Sequence, residues 1–285
     1  MTWSQWRSVE LRESARSPER AMVRLSGKGC GPEEGPDSRY GVSMCGRVVT
    51  ASGPEELSEY LGADVVVDVL DGPDYNVAPS RQLPLAWTSD EGGRRFLGTA
   101  KWGLVPSWAK DPAIGERMFN ARAETVAEKP SFRAAFRHRR CLVVVDGFYE
   151  WGPAERLVST RTTGGRATRQ PWYVHRVDGN PLVLAGLWEH GKGLRTCSII
   201  TVPANDDLAP VHDRMPAVLE SVDWDGWLDD GDPDRLDLES LLAPADDGTL
   251  VRHTVHCRVN SARNKGLELI EPADPVAAPD QGALW

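Results

Sequence analysis

The chain has 285 residues, 40% of them hydrophobic and 26% charged, and a net charge of −9; this is the balance of a soluble globular chain with material for one large domain or two small ones. No apolar run approaches the ~18 residues of a membrane helix, and the N-terminus lacks the apolar core of a signal peptide. The five cysteines (30, 45, 141, 197, 257) are odd in number and show no Cys-x-x-Cys, which argues against a disulfide framework or a zinc ribbon and for a reducing cytoplasm.

Residues 1–43 are rich in Arg, Ser, Glu and Gly without apolar periodicity, and read as a disordered extension. Met44-Cys45-Gly46-Arg47 reads as a beginning, so translation starting at Met44 is the expectation. Cys45 to Thr50 is a short strand. Ser52-Gly53-Pro54-Glu55 has the form of a capping box with an early Pro, opening a helix with Leu57, Tyr60 and Leu61 on one face. Further strands are expected at 65–70, 83–87 and 96–104, with Tyr75-Asn76-Val77-Ala78-Pro79 as a compact extended piece. Trp102-Gly103-Leu104-Val105-Pro106-Ser107-Trp108 is a Pro-broken aromatic loop, with at least one Trp expected in the core. Ser131 to Arg140 patterns as a helix that docks by Phe132, Ala135 and Phe136 and presents Arg133, Arg137 and Arg140.

Leu142 to Val145 is an apolar run of buried-strand length, and it delivers Asp146-Gly147-Phe148-Tyr149-Glu150-Trp151. A polar loop spans 152–170. Strands follow at 172–177, 182–188 and 195–202, then a turn ending in Val211-His212-Asp213-Arg214-Met215-Pro216. Two short helices carry Trp224, Trp227 and Leu228, and Leu238, Leu241 and Leu242. Val251 to Val259 alternates as one strand. A Pro/Ala tail closes the chain. About nine short strands with few helices predict an α+β domain whose antiparallel sheet closes, or nearly closes, into a barrel with helices at its rim.

Charge is unevenly spread. Residues 220–248 hold eleven acidic side chains against Arg235, whereas 117–140 hold seven basic residues against Glu124 and Glu128. The basic stretch is either a solvated face or a footprint for an anion such as a phosphate backbone. Several residues have the chemistry of a site. Glu150, flanked by Tyr149 and Trp151 at the end of an apolar strand, is placed for partial desolvation and acid/base work. His212 sits in a Pro-flanked loop. Asn120 and Arg122, two apart in an extended segment, point to one side. His253, His256 and Cys257 have metal-ligand chemistry, but strand alternation puts the two histidines on opposite faces, so no metal and no cofactor is expected.

Six motifs occur in order: Met-Cys-Gly-Arg at 44–47, Tyr-Asn-Val-Ala-Pro at 75–79, Trp-Gly-Leu-Val-Pro-Ser-Trp at 102–108, Asn-Ala-Arg-Ala-Glu-Thr at 120–125, Asp-Gly-Phe-Tyr-Glu-Trp at 146–151 and His-Asp-Arg-Met-Pro at 212–216. Together, over residues 44–273, they resemble the SRAP family of SOS-response-associated peptidases or abasic-site-processing proteins. The resemblance implies a domain at 44–273 between the 1–43 extension and a flexible tail at 274–285. It also implies a covalent crosslink to abasic sites in single-stranded DNA, formed once the initiator Met is removed. Cys45 would supply both amine and thiol to a thiazolidine, Asn120 would position the sugar, Glu150 would act as acid/base and His212 would shuttle protons. Arg47, Pro79, Arg122 and Trp151 match positions that line the DNA channel. A cytoplasmic monomer, recruited to damaged DNA, is the corresponding expectation.

Two other readings use the same residues. A cysteine peptidase would use Cys45 as nucleophile with His212 as base and needs only the thiol. A non-covalent single-strand binder would use Trp stacking and the Arg stripe, and could dispense with Cys45.

Overall fold

The continuous apolar run after Arg140 sets the architecture. In the computed structural model, which describes residues 46–70, 72–89, 93–152, 169–191, 193–229, 231 and 238–273, Arg140–Val145 forms strand β7, buried along its whole length. A strand buried on both faces can use Val and Leu at successive positions. It pairs with β4 (Gln82–Thr88) on one side and β10 (Leu182–Gly191) on the other. Beyond them, β4 pairs with β5 (Arg95–Trp102), and β10 with β11 (Leu194–Pro203). The ring closes where β11 meets β5 in parallel, Thr196 opposite Lys101 and Cys197 opposite Trp102. The short β2 (Val65–Val66) edges β5.

At Asp146 the chain leaves this barrel for a second sheet. There β8 (Gly147–Gly152) lies between β1 (Val48–Thr50) and β9 (Gln170–Arg176), with β3 (Asp74–Val77) beyond β1 and β13 (Leu250–Thr254) beyond β9. The corner requires Gly147: a Cβ there would come within 2.5 Å of the Tyr173 ring, which is sterically untenable. Asp146 secures the other side, accepting from the main-chain N–H groups of Ala51 and Ser52 and from the Ser52 hydroxyl.

Two last strands frame one end of β11. The β6 strand (Asn120–Arg122) runs parallel to it, with Ile199 opposite Asn120, and β12 (Arg214–Pro216) pairs antiparallel at Thr201 to Pro203. Both flank the same C-terminal part of β11.

Helices are short. In α1 (Pro54–Leu61) Leu57 and Leu61 are buried, as expected, but the N-cap is Gly53 without a side-chain bond; Ser52 is committed to Asp146, so no capping box forms. Among the described residues the other α-helices are α2 (Ala123–Val126), α3 (Arg133–His138) and α4 (Trp224–Leu228). In α3, Ala135 and Phe136 are buried while Arg133 and Arg137 are exposed. Arg140 does not join that stripe. It turns inward and donates to the carbonyls of Phe136, Arg137, Trp227 and Asp229, capping the C-terminal ends of α3 and α4.

The alternation expected through Val259 ends early. β13 stops at Thr254, Val255 is buried, and Cys257–Asn260 is a 3-10 turn capped by the His256 side chain. An α+β fold with a barrel-like, mostly antiparallel β core and few short helices is as expected; the parallel β5–β11 pair that closes the ring was not.

Candidate active site

The site is assembled where the second sheet meets the C-terminal end of β11. Arg47 is its hub. Its carbonyl accepts from the Tyr149 N–H at 2.9 Å, registering β1 on β8. Its guanidinium is only 6% exposed and donates to Asn76 Oδ1 (2.9 Å), the Val259 carbonyl (3.0 Å) and the Asn260 carbonyl (3.3 Å). It also lies 5.9 Å from the Trp151 ring centroid, within cation–π range. Trp151 in turn donates from Nε1 to Asn260 Oδ1 at 2.7 Å. Buried as it is, Arg47 positions the wall of the site and does not present a free charge.

Asn76 completes this wall. Its side chain is fully buried, and Nδ2 reaches the carbonyls of Val259 (3.1 Å), Ser261 (3.0 Å) and Asn264 (3.1 Å). Lys265 adds a bond from Nζ to Asp74 Oδ2 (2.6 Å) and another to the Asn76 carbonyl (2.7 Å). Residues 257–265 are thus strapped to β1 and β3. The sequence reading missed Asn76, Asn260 and Lys265, because a polar run at the end of a strand has the signature of an ordinary surface turn. The available signal was Asn76, a polar residue inside a strongly patterned motif.

Glu150 is 3% exposed in the middle of β8, opposite Trp172. Strand alternation puts it on the face of Phe148, which belongs to the barrel core, whereas Tyr149 and Trp151 pack in the smaller cluster with Val49, Tyr173 and Val259. A carboxylate at this depth is sequestered from bulk water, as expected from its apolar flanks.

His212 arrives from the other side. The turn at 205–211 brings Val211 against Gly152, where a Cβ would stand 2.9 Å from Val211 Cγ1 and 3.1 Å from its Cα. The absent side chain lets the end of β8, two residues after Glu150, touch the turn that leads into His212. The Arg214 N–H donates to His212 Nδ1 at 3.1 Å, and the exposed Asp213 carboxylate lies 2.9 Å from the same atom. Nδ1 serves only one of them at a time. Burial lowers the His212 pKa; Asp213 opposes this, while Arg169 and Arg214 add to it. The ring is therefore neutral at neutral pH, with Nδ1 accepting and the proton assigned to Nε2. Arg169 approaches from the end of β8, donating to the Trp151 carbonyl at 3.3 Å.

Asn120 and Arg122 stand on β6, across β11 from β12. The two strands are tied by Arg214, which grips both Glu124 carboxylate oxygens and donates to the Thr201 carbonyl at 2.6 Å. This holds the Glu124 carboxyl below its usual range and leaves Arg122 exposed at the surface. Pro79 is half-buried just after β3; the next residue, Ser80, has φ of 72° and donates to the Trp102 carbonyl at 2.7 Å. Trp102 is core, with Nε1 donating to the Phe119 carbonyl at 2.9 Å, whereas Trp108 is 59% exposed. The loop between them depends on a glycine pair: Gly103 has φ of 131°, and a Cβ on it would stand 2.5 Å from the Gly115 carbonyl oxygen.

Cys45 lies outside the described residues, as do the extension and the tail; the described chain begins one residue later, at Gly46, beside Arg47. Cys141 and Cys197 are buried barrel thiols, whose pKa values burial pushes up, that of Cys197 to about 12. Neither is a nucleophile. Cys257 is disulfide-bonded, which five scattered cysteines had not suggested. His256 Nδ1 lies 3.9 Å from the Cys257 sulfur, but His253 is turned to other partners. The His253 ring packs on Tyr173 and His175 and bonds the Ile270 carbonyl through Nε2 at 2.8 Å, while His256 caps its own turn. No group of three or more metal-binding side chains occurs among the described residues.

A closed barrel carrying a second sheet, with a buried carboxylate and a neutral histidine at their junction, defines a class. The model of the SOS response associated peptidase (SRAP) family matches residues 44–262, and the chain belongs to that family. It is 38% identical over 234 residues to the abasic site processing protein YoqW of Bacillus subtilis, covering 80% of this chain and 99% of that one. It is 32% identical over 242 residues to the abasic site processing protein HMCES of Rattus norvegicus, covering 71% and 65%. A crystal structure of a phage-related protein from Bordetella bronchiseptica superposes with a TM-score of 0.56 at 28% identity, covering 74% of this chain and 94% of that one. A protein from Bacteroides thetaiotaomicron, at 24% identity and a TM-score of 0.64 over 80% and 100%, shares the fold.

Proposed function

We propose that this chain captures abasic sites in single-stranded DNA as a covalent thiazolidine on Cys45. The observation that carries this is the contact between Gly152 and Val211, which brings the strand that bears the buried Glu150 against the turn that leads into His212. Cys45 is two residues from Arg47 in the sequence, so its main chain is within about 7 Å of that anchor. The names of the relatives support abasic sites as the target.

The chemistry follows from the residues. With Met44 removed, Cys45 has a free α-amine beside its thiol, groups that in unperturbed peptides titrate near ~8 and ~8.5. The neutral amine adds to the aldehyde of the ring-opened sugar. Glu150 in its acid form protonates the departing hydroxyl, and water leaves to give the imine. The thiol sulfur adds to the imine carbon while its proton passes to the ring nitrogen, with His212 as relay; the five-membered ring is then closed. Asn120 holds the sugar. Arg122, with the exposed Arg133 and Arg137 of α3, meets phosphates, and Trp108 offers a stacking face for a base. The peptidase reading needs only the thiol, so the α-amine separates the two.

The test uses protein beginning at Cys45 and single-stranded DNA with one abasic site. A shifted band that survives denaturing electrophoresis is expected; its absence refutes the proposal. The intact 285-residue form is expected to give no such band, because an amide nitrogen, delocalised into its carbonyl, cannot form the imine.

A further inference from the structure

An indole N–H can only donate, and burial obliges it to find an acceptor. Trp102, Trp151, Trp224 and Trp227 each place theirs on an oxygen of the chain, at 2.9, 2.7, 3.1 and 3.0 Å. Trp172 departs from them. It is 8% exposed, and its Nε1 is buried with no acceptor among the described residues. A buried donor without a partner destabilises the fold that holds it, and the acceptor it lacks can come from outside the chain.

The place of this donor gives it meaning. Trp172 stands on β9 directly opposite Glu150 on β8. Cross-strand partners project from one face of a sheet with Cβ atoms about 4.5–5.5 Å apart, so the indole and the carboxyl group are immediate neighbours. The Arg252 guanidinium lies 5.7 Å from the Trp172 ring centroid and donates to the Asp207 carbonyl. Asp207 belongs to the turn that leads into His212. Trp172 therefore adjoins the acid directly and, through Arg252, the segment that bears the histidine. Being neutral, its N–H leaves the charge of the site unchanged; it offers an oxygen atom a second fixed point beside the carboxyl group.

We propose that Trp172 is a further catalytic residue, whose N–H donates to the hydroxyl oxygen on C1′ of the opened sugar, the oxygen that Glu150 protonates. This rests on the reading of Glu150 as the acid given above. After the amine has added, that oxygen and the amine nitrogen share one carbon. The Trp172 N–H engages one oxygen lone pair and turns the other toward the Glu150 acid. The proton passes from the carboxyl group to the oxygen, and the C–O bond breaks with its electron pair going to oxygen. The nitrogen lone pair forms the C=N bond, so water leaves behind an iminium and a carboxylate. The indole keeps its proton throughout. Its N–H is unpaired in the free protein and paired in the reacting complex, so the interaction stabilises that complex alone.

The experiment has two arms, both with protein carrying a free Cys45 amine. In the first, Trp172→Phe keeps an aromatic ring and removes the N–H. Stable adduct on single-stranded DNA with one abasic site, and imine trapped by cyanoborohydride, are timed separately. Both rates are expected to fall together by about 10–100-fold, while affinity for undamaged DNA of the same sequence stays within about twofold. Imine trapped at the wild-type rate, or a loss confined to affinity, overturns the proposal. The second arm uses wild type, so the folding of a variant does not enter. Borohydride reduction of the abasic site leaves a hydroxyl on C1′ and no aldehyde, and this DNA binds without reacting. On saturation with it, the indole Hε1 resonance of Trp172, assigned by its absence from the variant, is expected to move downfield; undamaged DNA should leave it in place. An unmoved resonance, or the same shift with undamaged DNA, overturns the proposal. If wild type forms no adduct on abasic DNA, the crosslinking reading fails, and the resonance still decides whether Trp172 meets the sugar hydroxyl.

Discussion

At the scale of single residues, protons decide what the site does and when it holds together. Glu150→Gln keeps the volume and removes the acid, so the rate of adduct formation is expected to fall about 10²–10⁴-fold with the folded structure intact, as read by gel kinetics alongside circular dichroism. The histidines govern pH dependence. Burial lowers the pKa of His175, as it does that of His212, with His253 adding to the effect and the Arg176 carbonyl opposing it. Unfolded histidine titrates near ~6.5. Above that pH neither state is protonated and these groups contribute nothing; below it the unfolded chain takes up protons that the folded protein resists, so stability falls with falling pH. Asp146 has the opposite sign. Burial raises its pKa despite its hydrogen-bond donors, so between ~4 and its folded value it favours the folded state as pH drops. Histidine's share is isolated by His175→Gln: the urea midpoint of wild type is expected to drop from about pH 7.5 to about pH 5.5 more steeply than that of the variant. Parallel slopes would remove His175 from the account.

At the scale of elements, the strap and the aromatic loop make contrasting predictions. Asn76→Ala abandons the Val259, Ser261 and Asn264 carbonyls and one Arg47 bond in a buried place. Each unsatisfied buried group costs about 1–3 kcal/mol, and partial relaxation leaves an expected loss of about 3 kcal/mol in denaturant unfolding, with increased proteolysis near residue 260. Less than about 1 kcal/mol would mean that the strap is held elsewhere. The two tryptophans of the 102–108 loop divide cleanly. Trp102→Ala is expected to cost about 3–5 kcal/mol by cavity formation. Trp108→Ala should change stability by less than about 0.5 kcal/mol and weaken binding to single-stranded DNA, because the side chain is exposed and base stacking contributes about 1–3 kcal/mol. Fluorescence-detected melting and anisotropy titration measure the two effects separately.

At the scale of the whole molecule, the negative net charge and an anionic partner are compatible because the charges are segregated along the chain. A patch recruits DNA through the counterions it releases, not through the total charge of the protein. Arg122→Ala, at the exposed end of β6, is expected to lower the magnitude of the slope of log K against log salt by about 1 and to weaken all sequences alike. An unchanged slope would place Arg122 off the path of the strand. The architecture makes such a local surface possible: β11 is gripped by β6 on one side and β12 on the other, so the Asn120–Arg122 and His212–Arg214 segments, separated by about ninety residues of sequence, share one end of the barrel.

The sequence by itself determined the barrel strands β4, β5, β7, β10 and β11, because apolar runs bounded by Gly and Pro leave few alternatives. It determined the closed antiparallel class and, through six ordered motifs, the family. A core Trp in the 102–108 loop, the Phe132–Phe136 face of α3 and the sequestration of Glu150 were likewise legible, since burial follows local pattern; that Glu150 stands mid-strand in a second sheet was not. What needed tertiary structure were the roles set by contacts distant in sequence. Arg47 was expected to line a DNA channel and Arg140 to join an exposed stripe, yet both are buried, with carbonyls of Val259 and Asn260 and of Trp227 and Asp229, distant in sequence, among their acceptors. Ser52 read as a helix cap, but Asp146, far along the chain at the barrel corner, claims its hydroxyl. The strand alternation through Val259 was correct as a pattern and wrong as a structure, because the His256 side chain caps a 3-10 turn there and the Val259 carbonyl is taken by Arg47 and Asn76, both distant in sequence. Local pattern fixes which face of an element is apolar; which polar group satisfies which is decided only when the chain has closed on itself.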